Sequence, residues 1–89
     1  MPTIEFTANL RRHVDCPKAT IEADTLANGL ANYFSRWPDV RGFILDDQGA
    51  VRQHVKILID GQNVRDRKKL SDTLKPSSRI HVFQALSGG

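Results

Sequence analysis

The sequence predicts an α+β domain in which one long helix lies across one face of a mixed sheet of four to five strands. Three observations carry this. Val55-Lys56-Ile57-Leu58-Ile59 and Arg79 to Gln84 are short apolar runs, rich in β-branched residues and bounded by turn residues, as strands are. Leu26, Leu30, Tyr33, Phe34 and Trp37 recur at helical spacing and make one apolar face. Thr3-Ile4-Glu5-Phe6 alternates polar and apolar, so Ile4 and Phe6 point to a core and their neighbours do not. With 39% hydrophobic and 26% charged residues in a chain of 89, a single domain with one modest core is expected. Its bounds are set at 1–84, with 85–89 as a flexible tail.

The elements follow in order. Thr7 to Pro17 reads as a turn with Leu10 and Val14 tucked beneath it, and Lys18 to Glu22 as the second arm of an N-terminal hairpin. Asp24 and Thr25 stand where a helix cap stands, each with an oxygen for a first-turn N–H. Gly29 costs stability inside that helix and marks close packing against the sheet. Pro38 ends the helix. Val40 to Leu45 supplies a short helical turn, closed by Asp46-Asp47-Gln48-Gly49, which reads as a polar turn rather than a metal site. Asp60-Gly61 is a hairpin signal, and Val64 restarts a short return strand. Leu70 and Leu74 form one apolar pair in a polar connection, and Lys75-Pro76-Ser77-Ser78 turns the chain into the last strand. The expected core sets Ile4, Phe6, Ile21, Val55, Ile57, Ile59, Ile80 and Val82 against Leu30, Phe34 and Trp37.

Several functions are excluded on composition and spacing. Formal charge is +3, concentrated at Arg65, Arg67, Lys68 and Lys69, with a second pair at Arg11 and Arg12. These bases have no aromatic or glycine-rich platform among them, so they read as a solvated face or as steering toward an acidic protein, not as a nucleic-acid site. No apolar run has the length of a membrane span. The N-terminal residues lack a signal-peptide pattern, and the single cysteine, Cys16, favours a reducing compartment, so a cytoplasmic location is expected. His13, His54 and His81 have no ligand spacing, no phosphate-binding glycine loop occurs, and no nucleophile motif is present. A self-contained active site is not expected.

What remains is the end of the sequence, Gln84-Ala85-Leu86-Ser87-Gly88-Gly89. Two glycines impose no side chain and little backbone restriction, so such a segment fits a channel too narrow for other residues. The five residues past Gln84 reach at most roughly 17 Å when extended, enough to enter a partner's active site while the domain stays outside. Strand alternation adds a second feature. If Val55, Ile57, Ile59, Ile80 and Val82 face the helix, Leu58 and Phe83 face away from it, with Leu86 just beyond. A cluster of this kind beside a functional terminus reads as a docking surface.

Body and tail together resemble the ubiquitin-like β-grasp sulfur carriers of the MoaD/ThiS family. The resemblance runs through Ile4-Glu5-Phe6, Asp24-Thr25-Leu26, Arg52 to Arg65, and Ile80 to Gly89. It implies that an ATP-dependent, ubiquitin-activating-type enzyme adenylates the carboxylate of Gly89. A persulfide donor (a cysteine desulfurase or a rhodanese-like protein) then converts it to a thiocarboxylate, which a synthase consumes. Gly89 and Gly88 are the reactive end, while Phe83, Leu86 and Leu58 are the partner-docking residues. The chain itself is expected to bind no cofactor or metal and to be a protein cosubstrate rather than an enzyme. It also resembles the longer members, including carriers for cysteine biosynthesis, over Asp46 to Arg65, whereas Gln84 to Ser87 stand where the commonest tails have prolines or small residues. Two other classes share these residues. One is a modifier joined through Gly89 to lysine, and the other a non-covalent β-grasp interaction domain.

Overall fold

The computed structural model describes residues 1–84. Among these, five strands make one mixed sheet: β1 (Thr3–Phe6), β2 (Ala19–Thr20), β3 (Val55–Ile59), β4 (Gln62–Asn63) and β5 (Arg79–Gln84). Their order across the sheet is β2-β1-β5-β3-β4. The β1–β5 pair is parallel, and the β1–β2, β3–β4 and β3–β5 pairs are antiparallel. A short helix, α1 (Ala8–Arg11), follows β1, the long helix α2 (Leu26–Arg36) follows β2, and a 3-10 turn at Pro38–Val40 leads into α3 (Arg41–Ile44).

Local chemistry sets the limits of α2. Thr25 has extended backbone and its hydroxyl accepts the Asn28 N–H at 3.2 Å, while Asp24 accepts from the Asn28 side-chain amide at 3.3 Å. Leu26, Leu30, Tyr33 and Phe34 are buried along one face and pack in one cluster with Ile4, Phe6, Ile21, Val55, Ile57, Ile80 and Val82. Each large side chain buried there contributes about 1.5–3 kcal/mol relative to exposure. The expected core is therefore present, with Ile59 and Trp37 half-buried at its margin. Trp37 lies just past the helix, its ring centroid 4.6 Å from that of Tyr33, with the Arg36 guanidinium 5.0 Å from the ring. Gly29 sits at a close approach. A Cβ there would lie 2.8 Å from Ile21 Cδ1 and 3.4 Å from Leu74 Cδ1.

The structure departs from the sequence reading in its short elements. The connection after β1 contains a helical turn, α1, which places Leu10 in the core. The second strand pairs only at Ala19 and Thr20 rather than from Lys18 to Glu22. After the Asp60-Gly61 turn, where both residues have positive φ (52° and 82°), the return strand is Gln62–Asn63. Val64 lies just beyond it, buried, and still donates its N–H to the Ile57 carbonyl at 3.0 Å. Asp46 forms the polar turn expected of it, accepting from the Gln48 and Ala50 N–H groups.

The basic stretch 65–69 divides by role. The Arg67 guanidinium donates to the carbonyls of Arg52 and Val55, both at 2.7 Å, and so closes the open flank of β3 beside its first residue. Arg65, Lys68 and Lys69 are exposed. Two carboxylates hold the backbone that carries them: Asp72 accepts from the Arg65 and Asp66 N–H groups, and Asp66 from those of Lys68, Lys69 and Ser71. This lets Leu70 adopt a φ of 58° and bury its side chain.

Asp66 also accepts the Ser71 hydroxyl at 2.6 Å, and that bond, followed by the Lys69 N–H, pulls its carboxyl from 3.8 down to about 2. A depressed folded-state value means that the contribution is fully present above pH ~4 and lost as pH falls toward 2. Asp66→Asn is expected to flatten the loss of melting temperature between pH 4 and pH 2. Acid melting curves of the two proteins, read by circular dichroism, check this.

Candidate functional site at the end of the central strand

β5 occupies the middle of the sheet, so its two faces and its end are fixed by two neighbours at once. It pairs with β1 from Thr3↔Arg79 to Phe6↔Val82, and with β3 from Ile59↔Ile80 to Val55↔Gln84. Ile80 and Val82 are 1% and 0% exposed, whereas Phe83 is 38% exposed. Phe83 is thus on the face opposite α2, as alternation requires. Leu58 is half-buried on the same face, paired with His81 and diagonal to Phe83, which pairs with Lys56. The structure brings Phe83 and Leu58 together. Leu86, Gly88 and Gly89 lie outside the described residues.

This open face carries more than its two apolar residues. His81 Nε2 meets Glu5 Oε1 at 3.2 Å across the β1–β5 pair, and the His81 and Phe83 ring centroids are 6.4 Å apart. Beside them is a shallow cleft of about 120 Å³ bounded by Glu5, Thr7, His81 and Phe83. Sequence reasoning assigned Glu5 and His81 no role, because a pair across parallel strands has no local sequence signal. Where the chain leaves the sheet, two buried side-chain oxygens, Thr7 Oγ1 and Gln84 Oε1, have no hydrogen-bond donor among the described residues. Such orphaned acceptors are uncommon in folded proteins.

Nothing elsewhere in the described residues assembles reactive groups. Cys16 is buried, and that burial pushes its thiol up, against the opposing effect of Arg11. A thiol so placed is a packing group rather than a nucleophile. Burial likewise raises the Tyr33 phenol, whose hydroxyl donates to the Pro17 carbonyl at 2.7 Å. A larger depression of about 520 Å³ at the far end of the sheet contains Asp60, Asp66 and Asp72. All three carboxylates there accept from the chain's own N–H groups or hydroxyls. No group of three or more His, Cys, Asp or Glu among the described residues is placed to hold a metal ion. None of the described helices is long and apolar enough to cross a membrane.

Comparison with known proteins places this geometry in context. A family model described as the ThiS family matches residues 4–89. No curated protein matches the chain. Among solved structures, one chain of the BexX/CysO complex of Amycolatopsis orientalis superposes with a TM-score of 0.83 at 16% identity, over 100% of each chain. Mycobacterium tuberculosis CysO gives 0.80 at 17% identity, over 97% of this chain and 100% of that one. Small archaeal modifier protein 1 of Methanosarcina acetivorans gives 0.78 at 24% identity, over 99% and 95%. At these identities the likeness is one of fold.

The face assignment has a direct test in stability. Val82→Asp buries a charge in the core and is expected to abolish cooperative melting. Phe83→Asp, one residue on, is expected to cost no more than about 1 kcal/mol, as surface changes do. Chemical denaturation of the two variants distinguishes this register from one slipped by a single residue, which would reverse the outcome.

Proposed function

The chain belongs to the ThiS family, and from that premise we propose that it is a sulfur carrier whose Gly89 carboxylate is adenylated and then converted to a thiocarboxylate. Its fold is the ubiquitin-like β-grasp, a mixed five-strand sheet with α2 packed on one face. The observation that carries the proposal is the position of β5. A central strand, held on both sides, delivers the chain to Gln84 with Phe83 on the open face beside the point of departure.

The chemistry assigned to each group follows from reactivity. A carboxylate is a poor electrophile, so a Gly89 oxygen first attacks the α-phosphate of ATP held by an activating enzyme, and pyrophosphate leaves. The terminal sulfur of a donor persulfide then attacks the acyl-adenylate carbon, and AMP leaves. A thiol cleaves the resulting acyl disulfide, so the thiocarboxylate stays on Gly89 and a disulfide forms on the donor side. The carrier supplies the reactive end and a recognisable surface, and partner enzymes supply catalysis. Phe83 and Leu58, with Leu86, are the residues assigned to docking. The sulfur-accepting synthase belongs to molybdopterin, cysteine or a related biosynthesis.

A second reading, conjugation through Gly89 to lysine, is favoured by the likeness to a small archaeal modifier protein. Both readings require the same activation. A non-covalent interaction domain does not.

ATP–pyrophosphate exchange with the cognate activating enzyme tests this. An alanine appended after Gly89 is expected to abolish exchange with no change in melting temperature. Phe83→Asp is expected to raise the KM of the carrier by roughly tenfold or more, as loss of a docking anchor does. Exchange that survives the appended residue would rule out both the carrier and the modifier. Covalent ladders in a cell extract would separate the modifier from the carrier.

A further inference from the structure

We propose that the cations at the end of the sheet where β5 stops form a collar that docks on an acidic rim of the activating enzyme, around the opening that receives residues 85–89. This rests on the sulfur-carrier reading and names the electrostatic half of its partner surface.

The collar is assembled by topology. Parallel pairing of β1 with β5 brings the end of β1 beside the end of β5, where the Thr7 N–H donates to the Val82 carbonyl at 3.1 Å. The next turn, α1, starts there and carries Arg11 and Arg12, both exposed. On the other flank Val55 pairs with Gln84, and Lys56 with Phe83, so the exposed Lys56 stands across the same exit. Arg52 and Arg67 lie behind it. Their guanidiniums donate to the carbonyls of Gly42, Arg52 and Val55, which holds them in place. Segments more than forty residues apart in sequence thus bring their cations to one end of one strand.

Among the described residues no carboxylate pairs with these charges. The one basic side chain within 4.0 Å of a carboxylate among those residues is His81, beside Glu5, so no collar cation has such a partner. The acids nearest along the collar segments are Asp15, the Asp46-Asp47 turn, Asp60 and Asp66, and of these Asp46, Asp60 and Asp66 already accept backbone N–H groups. Unpaired cations around an exit favour an anionic rim, raise the encounter rate and orient the incoming segment. The exposed aromatic residue beside them is the single Phe83, whereas single-stranded nucleic acid stacks successive bases on several rings, which favours an acidic protein surface.

Two double charge reversals test the assignment. Arg12→Glu with Lys56→Glu alters the collar, whereas Lys75→Glu with Arg79→Glu alters exposed cations at the opposite end of β5. Each pair takes the formal charge from +3 to −1, so only location differs. In ATP–pyrophosphate exchange at low salt, the collar pair is expected to raise KM about tenfold and the control pair less than about twofold, with kcat unchanged in both. The gap should close as ionic strength rises past about 0.5 M, where the screening length falls to a few ångströms. Arg12→Gln with Lys56→Gln serves if the reversal lowers the melting temperature. Equal effects of the two pairs, or a salt-independent KM, would overturn the collar while leaving the carrier reading intact. So would tighter binding of the collar cations to a single-stranded oligonucleotide than to the enzyme. Absence of exchange with the unaltered protein would instead remove the carrier reading itself.

Discussion

The structure depends on the placement of β5 between a parallel and an antiparallel neighbour. A slip of this strand by one residue would send Ile80 and Val82 to the open face and Phe83 into the core. Both pairings together allow one register, in which Val82 faces Phe6 on one side and Ile57 on the other. The Asp60 carboxylate secures the start of the strand, accepting the Arg79 N–H at 2.9 Å and the buried Ser78 hydroxyl at 3.1 Å. Tyr33, 4.9 Å from Phe6 between ring centroids, ties α2 to β1 beneath it. From this arrangement follow the core, the open face and the point at which the chain leaves the sheet.

The large elements were legible because their signals are local and repeated. β3 and β5 were bounded by turn residues and matched at both ends, and the α2 stripe with its Thr25 cap was read within one residue. The short elements were not. α1 spans four residues and β4 two, too short for any periodicity to show. The function of Arg67 was hidden for another reason. Its partners are carbonyls twelve and fifteen residues away, and a guanidinium that closes a strand flank looks the same in sequence as one in solvent.

The candidate site was legible in part. Alternation placed Phe83 and Leu58 on the face away from the helix, and the structure agrees, with Leu58 half-buried beside His81. The Glu5–His81 pair and the placement of Arg11 and Arg12 at the same end of the sheet as Lys56 were illegible, since both arise from strands brought together by the fold. Leu86, Gly88 and Gly89 lie beyond the described residues, so their roles rest on chemistry and on the family. The division of labour that results is consistent throughout. The described part of the chain offers a surface and a fixed point of departure.

The most direct measurement of that account is the chemical form of Gly89 after reaction. Incubated with the cognate activating enzyme, ATP and a persulfide donor, the protein should acquire a thiocarboxylate that a mild alkylating reagent labels. Intact mass does not suffice, because replacing oxygen by sulfur resembles the gain of one oxygen at Met1 or Cys16. Fragmentation of the alkylated protein is expected to place the label on Gly89. A label confined to Cys16, or none at all with an enzyme shown to bind the chain, would contradict the account.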